Sequence, residues 1–203
     1  GKAADYALIA LQLGEKLNDN KAIAMAYSDL SNLFWKQSKF DKGLEYGLLS
    51  LSFFEKWGIT DLDYDFTLYI VGNNYLSLGQ YDKAISYYEQ SIELGERYGF
   101  YNNLSDVYIS LVELHLLLKQ FQKAETAGES ALKYALLLDN AFMVMRSYLA
   151  LGELNLRTGN YDTAVEHFNQ SITVATKDFG DGFFLSRAYG GLGKAYAKTG
   201  KYK

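Results

Sequence analysis

Residues 61–66, DLDYDF, set three carboxylates at alternate positions, the D-x-D-x-D with which a calcium loop opens. That loop also needs glycine in sixth place and glutamate in twelfth, and Phe66 and Gly72 stand there instead. The stretch therefore reads as a polar linker and helix cap running from Asp61 to Asp65. GGLGK (190–194) ends like a phosphate-binding loop, but that motif needs glycine at 188 and a hydroxyl residue after the lysine. The chain has Ala188 and Ala195. DFG (178–180) matches a kinase triplet with none of the other kinase parts, and it falls where a turn is expected. The absence of cysteine rules out a thiolate metal centre, and two histidines give little material for an imidazole one, so no metal site is expected. No nucleophile, base or metal set emerges, so the chain is not read as an enzyme and no cofactor is expected.

The bulk composition is that of a folded protein: 203 residues, 49% apolar and 22% charged. A net charge of −4 leaves no basic footprint for nucleic acid. The most apolar run, YISLVELHLLL (108–118), is interrupted by Glu113 and His115, so no membrane insertion is expected. The absence of cysteine leaves the compartment open. There is no proline at all, which favours one helix after another with glycine, asparagine and aspartate at the breaks.

The chain also repeats itself. SKFDKGLEYG (38–47), LGQYDKAISYY (78–88), KQFQKAETAG (119–128), GNYDTAVEHF (159–168) and GKYK (200–203) share one order of residues. Their marker aromatics, Phe40, Tyr81, Phe121, Tyr161 and Tyr202, are spaced by 41, 40, 40 and 41 residues. Three places after the marker come Gly43, Ala84, Ala124 and Ala164; ten places after come Ser50, Ser91, Ala131 and Ser171. Nine places before it stand Ser31, Gly72, Val112, Gly152 and Gly193. The first residues fit the second half of the same unit, with Ala3 and Ala10 in the two small places.

Apolar positions recur at three and four residues on both sides of each marker, so each unit is two antiparallel helices. Ten helices are expected, near 2–17, 21–37, 40–57, 62–78, 81–98, 102–118, 121–137, 140–158, 161–177 and 182–199. The small residues let the paired backbones approach, and the marker aromatic is expected to plug the wedge between helices. The residue two places before each marker sits in the turn, where glycine tolerates positive φ. His115 falls where other units have Phe34, Tyr75 and Tyr196 and is expected to pack; His167 lies on a second helix.

This order of Leu-Gly, turn aromatic, alanine, aromatic and alanine resembles the tetratricopeptide repeat (TPR), most clearly in VGNNYLSLGQYDKAISYYEQSIEL (71–94). The period of 40–41 and the missing closing proline resemble its long-repeat subclass, which kinesin light chains and many bacterial signalling proteins contain. The resemblance implies an all-α, right-handed superhelical array of about ten helices. It would be one array over 1–203: part of a repeat at 1–20, repeats near 21–61, 62–101, 102–139 and 140–181, and part of another at 182–203. With no polar cap at either end, the chain reads as a fragment of a longer protein.

Stacked pairs make a concave face lined by first helices, and in the TPR family that face binds peptides or helices. The resemblance places Asn32, Trp35, Phe66, Tyr69 and Asn73 there, then Glu113, Arg146, Glu153, Arg157, Arg187 and Lys194. Asn32 and Asn73 would grip a peptide backbone, the aromatics would anchor it, and the basic residues would receive partner carboxylates. Glu113 and Glu153, about 10 Å apart on neighbouring helices, would line the same groove. The expected function is a non-catalytic protein-interaction module in a larger signalling or adaptor protein. Its partner would be another protein, a peptide or a flanking segment of its own chain. A peptide-signal sensor and an oligomerisation scaffold are the alternatives.

Overall fold

The computed structural model describes residues 2–178 and 182–200, so the marker Tyr202 and most of the FGDG turn lie outside the described residues. Ten α-helices are described: α1 (Lys2–Leu17), α2 (Asn20–Lys36), α3 (Phe40–Lys56), α4 (Leu62–Ser77), α5 (Tyr81–Tyr98), α6 (Tyr101–Leu117), α7 (Phe121–Leu137), α8 (Ala141–Thr158), α9 (Tyr161–Asp178) and α10 (Gly182–Thr199). Each falls within one residue of its expected bounds. The chain forms two compact units, residues 1–103 and 104–203. In the first, α2 packs on α1 and α3, and α4 lies beside α2, α3 and α5. In the second, α8 packs on α7 and α9, and α10 lies beside both α8 and α9.

The turns explain why the pairs form without proline. Between first and second helices, the residue two places before the marker takes positive φ: Ser38 (59°), Gly79 (72°), Lys119 (58°) and Gly159 (85°). In the turns that lead to the next pair, Asn18, Gly58, Gly99 and Asp139 do the same. One left-handed residue per turn reverses the chain and lets the carbonyls of the last helical turn find donors. Gln80 N, for example, donates to Tyr75 O at 2.9 Å. Glycine adopts this conformation freely, whereas Ser38 and Lys119 hold it against a steric cost of about 1–2 kcal/mol. Lys119→Gly should therefore raise stability by roughly 1 kcal/mol in urea unfolding, while Gly79→Ala should lower it by a similar amount.

First helices open on side-chain caps. Asp19 Oδ1 accepts from Ala22 N at 3.0 Å, Asp61 Oδ1 from Asp63 N at 3.0 Å, and Asn140 Oδ1 from Met143 N at 3.1 Å. Second helices open on Lys39, Gln80 and Gln120 without one. There the short turn itself fixes the helix start. Asp65, expected to belong to the polar cap, is instead fully buried inside α4.

The small positions are buried as expected: Ala84, Ala124, Ala164, Ser50, Ser91 and Ala131 have no exposure. The aromatic plug, however, is not the marker. Phe40, Tyr81 and Tyr161 are only half-buried and Phe121 is 43% exposed, because the first residue of a second helix sits at the rim of the pair. The wedge is filled seven places later, at Gly47, Tyr88, Gly128 and Phe168, and the filling alternates. Tyr88 and Phe168 are fully buried and pack against glycine on the first helix. A Cβ on Gly72 would meet Tyr88 Cε1 at 2.6 Å, and one on Gly152 would meet Phe168 Cδ1 at 2.7 Å.

Where the seventh place is glycine, the bulk comes from other helices. A Cβ on Gly47 would meet Val71 Cγ2 at 2.6 Å and Ser31 Oγ at 2.8 Å; one on Gly128 would meet Leu151 Cδ2 at 2.4 Å. The space beside each glycine is thus filled, and the helix that fills it changes from one repeat to the next. In the second unit, Phe168 packs with Leu149, Ala164, Ala188 and Ala195.

Candidate functional site

In the first unit the expected residues gather on α2 and α4. Asn32 and Trp35 on α2, and Phe66 and Tyr69 on α4, are all half-buried. Trp35 Nε1 donates to Ser77 Oγ at 3.0 Å, which ties the end of α2 to the end of α4. Phe66 and Tyr69 lie with ring centroids 6.2 Å apart, and the Tyr69 ring is 6.4 Å from that of buried Tyr88. The first helices therefore present partly exposed aromatic surface whose rotamers are held from below. Such preordered rings suit contact with a partner, since little side-chain freedom remains to be lost.

Asn73 differs from the expectation. It is 2% exposed, and its Oδ1 accepts from the Tyr88 hydroxyl at 2.7 Å. A buried phenol needs such a partner. Asn73 therefore holds the core in register and does not lie open to grip a peptide backbone. Its neighbour Asn74 is equally buried, with Nδ2 donating to Ile70 O at 2.9 Å. Asn74 Oδ1 would lie 2.2 Å from a Cβ on Gly43, so it occupies the space that glycine leaves.

In the second unit the expected basic residues are partly neutralised from within. Arg146 pairs with Asp106, and its guanidinium lies 5.8 Å from the Phe142 ring centroid. Arg187 pairs with Glu153 at 2.6 Å and lies 5.9 Å from the Phe183 ring. Residues at matching places of adjacent repeats thus answer one another, Asp106 with Arg146, and this binds first helix to first helix. The Arg187–Glu153 pair is 45% and 34% exposed, so its net worth is below about 1 kcal/mol. Glu113, Arg157 and Lys194 are exposed, and among the described residues no ion pair includes them.

His115 is 8% exposed, with Nδ1 2.9 Å from Gln120 Oε1, and burial lowers its titration below the usual imidazole range. His167 is half-buried beside the Tyr148 ring, 6.1 Å away, and burial lowers it too. Both are packing residues. No cluster of three potential metal ligands exists among the described residues. None of their helices is long and apolar enough to cross a membrane. A depression of about 260 Å³ between the start of α7 and the end of α8 is lined by Phe121, Gln122, Glu125, Leu154, Asn155, Thr158 and Asn160, none of them an expected site residue.

The family model of the tetratricopeptide repeat matches residues 64–136 and 143–203. This chain belongs to the tetratricopeptide-repeat family. Its all-α helix-pair fold is that of TPR proteins, which bind protein or peptide partners. No curated protein sequence matches it. Among solved structures, it is similar to BtubC (BKLC) from P. vanneervenii, with a TM-score of 0.83 and 21% identity over 98% of this chain and 84% of that one. It is also similar to a Rap protein complexed with Competence and Sporulation Factor, with a TM-score of 0.83 and 14% identity over 96% of this chain. A third is a signal-transduction ATPase with a tetratricopeptide repeat sensor from Pyrococcus horikoshii, with a TM-score of 0.74 and 22% identity over 98% of this chain. The TPR chain spans 57% of the Rap protein and 30% of the ATPase, and at these identities the likeness is one of fold.

Proposed function

We propose that this TPR chain is a non-catalytic interaction module that holds an extended or helical peptide segment on the first-helix face of α2 and α4. The observation that carries this reading is the set of three half-buried aromatics, Trp35, Phe66 and Tyr69, on neighbouring first helices. Large aromatics that are already ordered dominate binding energy at interfaces. Asn32, half-buried on α2, supplies a combined donor and acceptor for the peptide backbone. Of the expected basic residues, Arg157 and Lys194 in the second unit are exposed and open to acidic groups on a partner. Arg146 and Arg187 would first have to leave Asp106 and Glu153.

The Rap relative, complexed with Competence and Sporulation Factor, supports the view that this fold accommodates a bound factor. The sensor named in the ATPase relative favours a second reading, in which the bound peptide is a signal. In either case the module belongs to a larger regulatory protein.

Selection of a random peptide library on the 203-residue chain tests the site. Recovered peptides should carry apolar or aromatic anchors, and they should lose binding at least about tenfold to a Trp35→Ala/Phe66→Ala/Tyr69→Ala variant. Peptides that bind the triple variant unchanged would remove the site from this face.

A further inference from the structure

Sixteen places before the markers stand Ala24, Asp65, Ser105 and Met145, all inside first helices. In the first and fourth pairs the serine of the second helix donates to the backbone carbonyl at this place: Ser50 Oγ to Ala24 O at 2.7 Å, and Ser171 Oγ to Met145 O at 3.0 Å. The second pair departs from this pattern. Ser91 Oγ donates to the Asp65 side chain, Oδ1, at 2.5 Å, and Asp65 Oδ2 accepts from Asn103 Nδ2 at 3.0 Å. One carboxyl thus joins α4, α5 and the start of α6 within the first unit.

Asp65 is fully buried, and among the described residues no ion pair includes it. Lys21, at the start of α2, pairs with Asp61 at 2.7 Å and Asp63 at 3.0 Å. Glu55, from α3, reaches the Tyr64 hydroxyl at 3.5 Å. The groups that meet Asp65, Ser91 from α5 and Asn103 from α6, are neutral. Two hydrogen bonds satisfy a carboxylate poorly in such a place, because an ionised group left without a counter-charge keeps most of its desolvation cost. Both bonds are donated to the carboxyl and favour its ionised form, but protonation removes the net charge and with it the larger cost of burial, while the carbonyl oxygen still accepts.

We propose that Asp65 is a proton-operated latch that fastens the start of α6 to α4 and α5, tightening when the carboxyl is protonated and loosening when it ionises. The direction of its titration agrees. Burial pushes Asp65 above the usual carboxylate range, and the bonds from Ser91 and Asn103 only partly offset it. Its stabilising contribution is therefore complete below the unfolded carboxylate value and is lost as pH rises through the raised folded value. Asp61, four residues earlier, behaves in the opposite sense. Burial pushes it up, but Lys21 and the N–H groups of Tyr64 and Asp63 bring it below its ordinary value, so its contribution is lost as pH falls.

Hydrogen exchange of the 203-residue chain between pH 4.5 and 8, corrected for intrinsic rates, reads the latch directly. Protection of the amides of residues 104–107 and of the Ser91 turn should fall as pH rises, by on the order of tenfold for each unit by which the folded titration is displaced. Asp65→Asn should flatten that profile with the helical circular dichroism retained, whereas α10 should show no such step in either protein. Wild-type protection that ignores pH, or an Asp65→Asn profile that keeps the wild-type step, would overturn the latch. Should Asp65→Asn fail to fold, carbon NMR of the wild-type Asp65 carboxyl decides: titration above the ordinary carboxylate range upholds the proposal, and titration at or below it refutes it.

Discussion

Phe168→Ala should lower the free energy of unfolding by about 3–5 kcal/mol in urea, the usual cost of emptying a fully buried aromatic site. Phe168 has no exposure, fills the space beside Gly152 and Gly191, and packs with Leu149, Ala164, Ala188 and Ala195. A cavity there cannot collapse by small shifts, because glycines form two of its walls and carry no side chain that could lean in. Phe121→Ala makes the contrast. This residue is the conspicuous marker of the repeat but is 43% exposed, so its loss should cost less than about 1 kcal/mol. Exchanging the pattern of one repeat for that of another is a stricter test. Gly152→Val with Phe168→Gly copies the Val112/Gly128 arrangement and should recover part of the stability lost in Phe168→Gly alone. A larger loss at Phe121 than at Phe168 would contradict the alternating wedge.

The second large effect concerns binding. Phe66→Ala and Tyr69→Ala should each weaken a selected peptide by at least about tenfold, or about 1.4 kcal/mol, while helicity and urea midpoint stay near wild type. Both rings are half-buried, so truncation removes contact surface without opening the core. Asn73→Ala should behave in the opposite way. It removes the amide oxygen that accepts from the buried Tyr88 hydroxyl, which costs about 1–3 kcal/mol of stability, and affinity should drop only as far as folding does. This pair of outcomes separates residues that touch a partner from residues that hold the scaffold. If Tyr69→Ala were silent and Asn73→Ala selectively lost affinity, the site would have to be redrawn around the amide.

The sequence was most legible where the physics is periodic. Helix bounds, turn positions and the small residues at close contacts recur every 40–41 residues, and the structure has them within a residue. Legibility failed where identity within the period matters more than the period. The marker aromatics are the regular feature, yet the wedge is filled seven places later, by residues that change between glycine and aromatic. A search for sameness passes over such a compensating swap. Asp65 looked like one of a run of cap carboxylates; the helix starts at Leu62 as expected, but the alternation of carboxylates does not record that its fourth residue turns inward.

Asn73 has the residue type and place of a peptide-gripping amide, but a tyrosine fifteen residues later claims it. Arg146 and Arg187 looked available for a partner because their carboxylates lie 40 and 34 residues away, on neighbouring first helices. In each case a long-range pairing decides the role, and one-dimensional spacing does not record it.

The chain has two tryptophans, Trp35 on α2 and Trp57, which is 51% exposed at the end of α3. Trp57→Phe therefore leaves Trp35 as the sole indole reporter of the α2–α4 face. A selected peptide titrated into this variant should shift Trp35 emission saturably, with a midpoint equal to the Kd obtained by calorimetry. Calorimetric binding to saturation with Trp35 emission unmoved would contradict the assignment of this face as the peptide site.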